Sequence, residues 1–442
     1  MEVFRLQKKT LWIALAALLA LSFAFAATAE EVQYLKLPLP TLSSTRISAN
    51  IPPENPALDG VNPITGEQWA GLYHPIMVQI DSSHDALPHW GVSSADIIYE
   101  MPLHQAGDTR SVALFMGSIP NIAGPVRSAR VPMASLREMW GAAWVFYGTQ
   151  EYWLAEETTV DVLDFVSQFN PDCMKGGRWV FPFFNGTDMQ YYDLFGRQSD
   201  GEHVAPHNAT INLRGVEEYY NYEPVKHPFK FTDTGLDHGT SVTGITIDYR
   251  TQKPITKSSY VYDERTGLYT RYREDEQYYD GDNGLVCEYA NVIILYSNVS
   301  WFNGNASRPV IRLIGQGTAD IFQNGKWIRG MWVRGRAQGE TNVNDPAQQA
   351  SRLIFLDDTG NELEMKRGKT FVQIVDETKQ IVSVTTSEQI AGATVQATPK
   401  PTNPPKATRT PPPTRPPRQA KSTPVPEQNQ DSGDGEVEFG GF

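Results

Sequence analysis

Cysteine is almost missing from this chain: of 442 residues only Cys173 and Cys287 carry a thiol. A disulfide-stapled scaffold is excluded, and the sequence leaves open whether these two form one bridge or are both buried thiols. Nucleophile signatures are missing as well. There is no Gly-x-Ser-x-Gly, no Ser-x-x-Lys and no Gly-x-x-x-x-Gly-Lys-Ser/Thr phosphate loop, so the hydrolase and nucleotide-binding classes built on them have no support. Metal spacing is poor: His203 and His207 are the only histidines four apart, Pro206 lies between them, and no cysteine stands at ligand spacing. No metal and no cofactor are expected. Basic charge is short too. The 38 Lys and Arg against 51 Asp and Glu leave a net charge of -13, which argues against a nucleic-acid partner, since phosphate attraction needs a basic face.

What is present is ordinary globular material: 40% hydrophobic and 20% charged residues supply a core. The 10 Trp, 19 Tyr and 19 Phe fit strand-rich structure and could offer stacking surfaces to a sugar or peptide. Residues 1–29 have the form of a secretory signal, with Arg5, Lys8 and Lys9, the run LWIALAALLALSFAFA and the small-residue site Ala27-Thr28-Ala29. Cleavage there predicts an extracytoplasmic protein, secreted or wall-associated. An uncleaved N-terminal anchor is the alternative.

Residues 30–60 read as an extended Pro- and Ser-rich lead-in. From 61 to 224 short apolar runs at 75–81, 95–100, 111–116 and 142–147 read as strands, with a helix over Pro132–Gly141 and another across EYWLAEETTVDVLDFV. That mixture predicts an α+β domain with a mixed sheet. From 225 to 380 alternating β-branched runs are separated by Arg-Thr-Gly, Asn-Gly and Asp-Thr-Gly turns, which predicts a mostly antiparallel all-β domain, a meander, barrel or sandwich. Residues 385–442 are Pro-rich and basic before an acidic end, and are expected to form an extended tail without a core.

The stretch IDSSHDALPHWGVSSADIIYEMPLHQAGDTRSVALFMG, then IAGPVRSAR, and later APHN, closely resembles the YerB-like bacterial lipoprotein family, a domain family of unknown function. SYVYDERTGLYTRY, NVIILY, RLIGQGTADIFQNGKWIRGMW and GKTFVQIV resemble that family's C-terminal domain, so the likeness covers most of 62–376. It implies a bacterial extracytoplasmic protein of two domains, with no activity to carry over. No cysteine ends the signal segment, so a lipid anchor is not expected.

Candidate chemistry concentrates in GDTRSVALFMGSIPNIAGPVRSAR. If Ser128 starts a helix, Arg127 and Arg130 sit at its first turn beside unpaired backbone N–H groups, with Arg110 close by, and the set could clamp a carboxylate or phosphate. The alternative is internal pairing with Asp81, Asp96, Glu100 or Asp108. Asp81 and Glu100 each end an apolar run and could act as acid and base if about 5–9 Å apart. His207 and Asn208, in Ala205-Pro206-His207-Asn208, are candidates to hold a ligand, and His207 a base. The ligand-binding set is therefore Arg110, Arg127, Ser128, Arg130, His207 and Asn208, and the catalytic candidates are Asp81, Glu100 and His207. The leading expectation is a binding or regulatory module, leaning away from an enzyme, that recognises an anionic wall glycan, a peptide carboxylate or an envelope partner. A hydrolase or transferase on a cell-wall polymer, and a scaffold for a membrane synthase, are the alternatives.

Overall fold

The structure, a computed structural model, describes residues 32–41, 59–153, 159–167, 174–175, 178–221, 224, 226–250, 256–335 and 346–396. The expected signal segment, residues 397–442 of the expected tail and Cys173 lie outside them, whereas residues 385–396 of that tail are folded, Thr394 and Val395 pairing with Lys36 and Leu35. All described residues belong to one compact unit.

The short apolar runs become strands. β1 is Gln33–Lys36, and β2 (Ile76–Asp81), β3 (Ile97–Pro102) and β4 (Thr109–Phe115) follow. Helix α1 (Val131–Trp140) separates them from β5 (Ala143–Phe146) and β6 (Phe183–Asn185), and β7 (Phe195–Arg197) pairs with β8 (Ala209–Ile211). The second half supplies β9 (Gly244–Asp248), β10 (Lys257–Asp263), β11 (Leu268–Arg273), β12 (Asn291–Ser297), β13 (Gly315–Gln323) and β14 (Lys326–Arg334). It ends in β15 (Leu353–Leu356), β16 (Thr370–Asp376) and β17 (Val382–Thr386).

An eleven-stranded mixed sheet runs β6-β5-β2-β4-β3-β16-β12-β13-β14, then Thr240–Ser241, with β15 also on β14. Its centre is the parallel pair of β3 with β16, Ile97 opposite Thr370 through Glu100 opposite Gln373. Strands from both halves of the sequence thus share one sheet. The eight-stranded second sheet runs Glu276–Gln277, β11, β10, β9, β17, β1, Thr394–Val395, with Glu288–Tyr289 against β11.

Side chains alternate across a strand, so the large sheet has two apolar faces. One carries Met77, Ile97, Tyr99, Val112 and Leu114 and packs against Met133, Leu136, Met139 and Trp140 of α1. The other carries Ile76, Val78, Ile80, Ile98 and Val292 and packs against Ile245, Tyr260, Tyr269 and Val384 of the small sheet. The result is three layers: helix, large sheet, small sheet.

The protein is mostly β with few helices, as the strand-rich composition suggested. Four local expectations change. The first helix begins at Val131, not Ser128: Pro132 occupies its first turn and Arg130 is the N-cap in extended conformation (φ -136°), while Gly141 closes the far end at φ 59°, its N–H donating to Arg137 and Glu138 carbonyls. Among the described residues of EYWLAEETTVDVLDFV, Glu151–Trp153 and Thr159–Asp161 are paired strands, and the helix is confined to Val162–Ser167. The lead-in contains β1, which pairs with β17 and buries Leu35 and Leu37. The β-rich second half does not close on itself, because its strands divide between the two sheets. Cys287 is a free, buried thiol.

Candidate functional site

The site forms where β2 outruns β5. Beyond Val78 the β5 pairing stops, and the segment 123–127 takes its place: Ile80 bridges Val126, Arg127 N–H donates to Gln79 O at 3.0 Å, and Asp81 N–H donates to Pro125 O at 2.8 Å. β8 lies on the far side of that segment, with Val126 N–H donating to Ala209 O at 2.7 Å. Asp81, Arg127 and His207 are therefore brought together by two successive backbone pairings.

Asp81 Oδ2 lies 2.8 Å from His207 Nδ1 and 3.0 Å from Arg127 Nε, and Oδ1 accepts from Ser83 N–H at 3.1 Å. The Arg127 contact is an ion pair poorly aligned for a hydrogen bond, since Nε is counted among the buried nitrogens without a hydrogen-bond partner. Ser83 Oγ is 3.0 Å from the same Nδ1. Burial pushes the Asp81 carboxyl up, but Arg110 and Arg127, with the Ser83 N–H and His207, outweigh it and hold the group at about 2. An ionised carboxylate only accepts, so we assign the imidazole proton to Nδ1, leaving Nε2 as the ring's lone-pair nitrogen.

Arg110 is the register partner of Asp81 on β4. It is 3% exposed, and its Nε and Nη1 have no hydrogen-bond partner among the described residues. Burial draws its guanidinium down to about 10, with Asp81 opposing and Arg127 reinforcing the shift. Gln79, two residues before Asp81 and on the same face, is fully buried with both amide atoms unpartnered. Buried polar atoms are normally satisfied, so these vacant donors and acceptor mark a place suited to a polar group.

The other expected residues fall elsewhere. Arg130 Nη1 donates to the carbonyls of Ser128 at 3.2 Å and Ala129 at 2.9 Å, so it does not form a two-arginine clamp with Arg127 at the helix start. Ser128 is half-buried between them. Asn208 Oδ1 accepts from Arg197 Nη1 at 2.8 Å and its Nδ2 donates to Gln198 O at 3.0 Å, which binds it to the β7–β8 hairpin.

Glu100 is a correction to the paired-carboxylate expectation. It is completely buried between the sheets, receiving Arg271 Nη2 at 2.9 Å, Arg273 Nη1 at 2.7 Å, Thr109 Oγ1 at 2.6 Å, and Ser258 Oγ and Gln373 Nε2 at 3.0 Å each. Burial opposes its charge, yet the two arginines hold the carboxyl far below its ordinary range. A group so enclosed serves as an anchor, not as an acid or base.

The histidines are dispersed. His74 stacks on Tyr220, the buried His89 Nδ1 meets Tyr278 OH, and His203 pairs with Asp200 and lies against Trp90. Trp144, Phe183 and Phe184 are core. Tyr147 is half-buried beside Arg127, its N–H donating to Arg127 O at 3.0 Å, and Arg197 lies 5.2 Å from its ring centre. Gln79, Ser83 and Arg197 were missed from sequence. A polar Gln at two residues before Asp81, inside an apolar strand, was the available signal.

Two family models match the chain: Protein of unknown function (DUF3048) N-terminal domain over residues 64–226, and its C-terminal domain over 245–372. The chain belongs to the DUF3048 family. Asp81, Arg110, Arg127 and His207 all lie in the DUF3048 N-terminal segment, whereas Glu100 reaches across to Arg271 and Arg273 in the C-terminal one. Among relatives, Putative lipoprotein YerB of Bacillus subtilis (strain 168) is 24% identical over 322 residues, 71% of this chain and 85% of that protein. The crystal structure of the Bacillus subtilis YerB protein superposes with a TM-score of 0.56 at 23% identity, covering 73% of this chain and 99% of that one, which shows a shared fold.

Proposed function

We propose that this is an extracytoplasmic envelope protein that binds an anionic group of a wall glycan or peptide at the Asp81–Arg127–His207 cluster, with Arg110 behind it. The observation that carries the reading is the buried Arg110, whose vacant donors sit beside a second guanidinium with the Asp81 carboxylate between them. An incoming carboxylate or phosphate would meet those donors, each charge-assisted hydrogen bond contributing about 1.5–3 kcal/mol. The expected signal segment and the lipoprotein name of the Bacillus relative support placement outside the cytoplasm. Among the described residues no helix is long and apolar enough to cross a membrane.

The test is sedimentation of the purified protein with isolated cell-wall polymer, run beside Arg127→Ala checked for folding by thermal melting. Binding by the wild type and its loss in the folded variant support the reading. Equal sedimentation of both, or of neither, overturns it.

A further inference from the structure

We propose that the cluster is a hydrolytic site for a phosphodiester, with His207 Nε2 as its general base. The proposal rests on the anion-binding reading above and extends it to a reaction. Its geometric basis is that one oxygen, Asp81 Oδ2, holds both the imidazole, at 2.8 Å, and the Arg127 guanidinium, at 3.0 Å. Whatever anion the guanidinium receives is therefore delivered next to the ring. The His207 and Arg127 side chains are 20% and 27% exposed, while Asp81 between them is 3% exposed. The anchor is closed off and both working groups reach solvent. The His207 ring contacts Asp81 and Ser83 through Nδ1, and Arg127 meets Asp81 through Nε.

The bond to be opened must sit beside the anion that Arg127 receives, and this selects the substrate class. A carboxylate is an anion, but it offers the base no bond to open. A phosphodiester carries its single charge and its scissile bond on the same phosphorus. In the step, Nε2 removes a proton from water, the water oxygen bonds to phosphorus, and the P–O bond to one alcohol breaks with its electron pair leaving on that oxygen. The proton on Nε2 then passes to the departing oxygen, giving an alcohol and a phosphomonoester. The guanidinium groups stabilise the charge on the non-bridging oxygens. The Nδ1···Oδ2 contact holds the ring against Asp81, whose carboxylate stabilises the transient imidazolium.

The experiment uses two probes on the full-length protein: bis(4-nitrophenyl) phosphate for turnover and dimethyl phosphate, which resists hydrolysis, for binding. The key variant is His207→Asn, whose Nδ2 can still donate to Asp81 but which has no base. His207→Gln is read in its place if the first fails to fold. The expected result is 4-nitrophenolate release by the wild type, a loss of about 10²–10⁴-fold in the variant, and dimethyl phosphate affinity changed less than about threefold. Binding without release by the wild type overturns this proposal and leaves the anion site standing. Failure of both probes with the wild type removes both. Unchanged release in a folded variant, or a rate that falls only as far as affinity does, overturns the assignment of His207 as base.

Discussion

Asp81 and Glu100 occupy adjacent rungs of the β2–β4–β3 ladder and point into opposite layers. Arg110 pairs with both Asp81 and Met101, and the next residue, Ser111, pairs with both Ile80 and Glu100. Alternation across the pleat sends the Asp81 rung to the helix side, where Met101 packs, and the Glu100 rung to the small-sheet side, where Ile80 packs. One substrate cannot touch both carboxylates.

Glu100 is consequently a stability residue. Replacing it with Ala strands two buried guanidinium groups, Arg271 and Arg273, each at most 2% exposed. The expected cost is about 3–5 kcal/mol in urea unfolding. Its folded carboxyl lies below its ordinary value of 4.5, so the stabilisation is complete above that pH and is lost as pH falls beneath it. A variant as stable as the wild type at pH 7 would contradict the anchor role.

For Asp81 the same sign applies over a defined window. Its carboxyl falls from 3.8 to about 2 on folding, which corresponds to about 2 kcal/mol of stability at neutral pH. That contribution is full above 3.8 and disappears as pH drops to about 2. Unfolding of wild type and Asp81→Asn should therefore differ at pH 7 and converge in acid. A gap that stays constant with pH would mean that the carboxylate's charge is not what matters.

How much of this was readable depended on how local the cause was. The runs at β2, β3 and β4 announced themselves because strands buried on both faces are continuously apolar. Asp81, Arg127 and His207 each stood out by residue type, but the 126-residue separation between Asp81 and His207 is bridged only by the pairing of β8 with 123–127. Glu100 looked catalytic because its partners, 171 and 173 residues away, left no local trace. Arg127 and Arg130 looked like a clamp because three-residue spacing suits a helix. Pro132 instead moves the first helical turn past both of them.

At Gly330 the backbones of β14 and the end of β15 approach too closely for any side chain. A Cβ there would stand 1.9 Å from the Leu356 carbonyl oxygen and 3.0 Å from its carbon. Because the obstacle is main chain, it cannot rotate away. Gly330→Ala should break the β14–β15 pairing around Met331 and Leu356, and amide exchange in Leu353–Leu356 should rise well before exchange in β12. Unchanged protection in β15 would show that the strand can shift at little cost.

β1 tests whether the lead-in belongs to the fold. Leu35 is 3% exposed and Leu37 1%, both in the apolar layer between the sheets, while Val32, just outside the strand, is 65% exposed. Truncating a buried Leu removes its packing and leaves a cavity, so Leu35→Ala should cost about 2–5 kcal/mol. Val32→Ala should stay within about 0.5 kcal/mol, as for other exposed positions. β1 also pairs with β17 along Gln33–Lys36, and β17 continues the small sheet to β9. Loosening β1 should therefore lower the melting temperature of the whole small sheet in a single transition. A separate early transition, or equal effects at 32 and 35, would make β1 an appendage whose removal the fold tolerates.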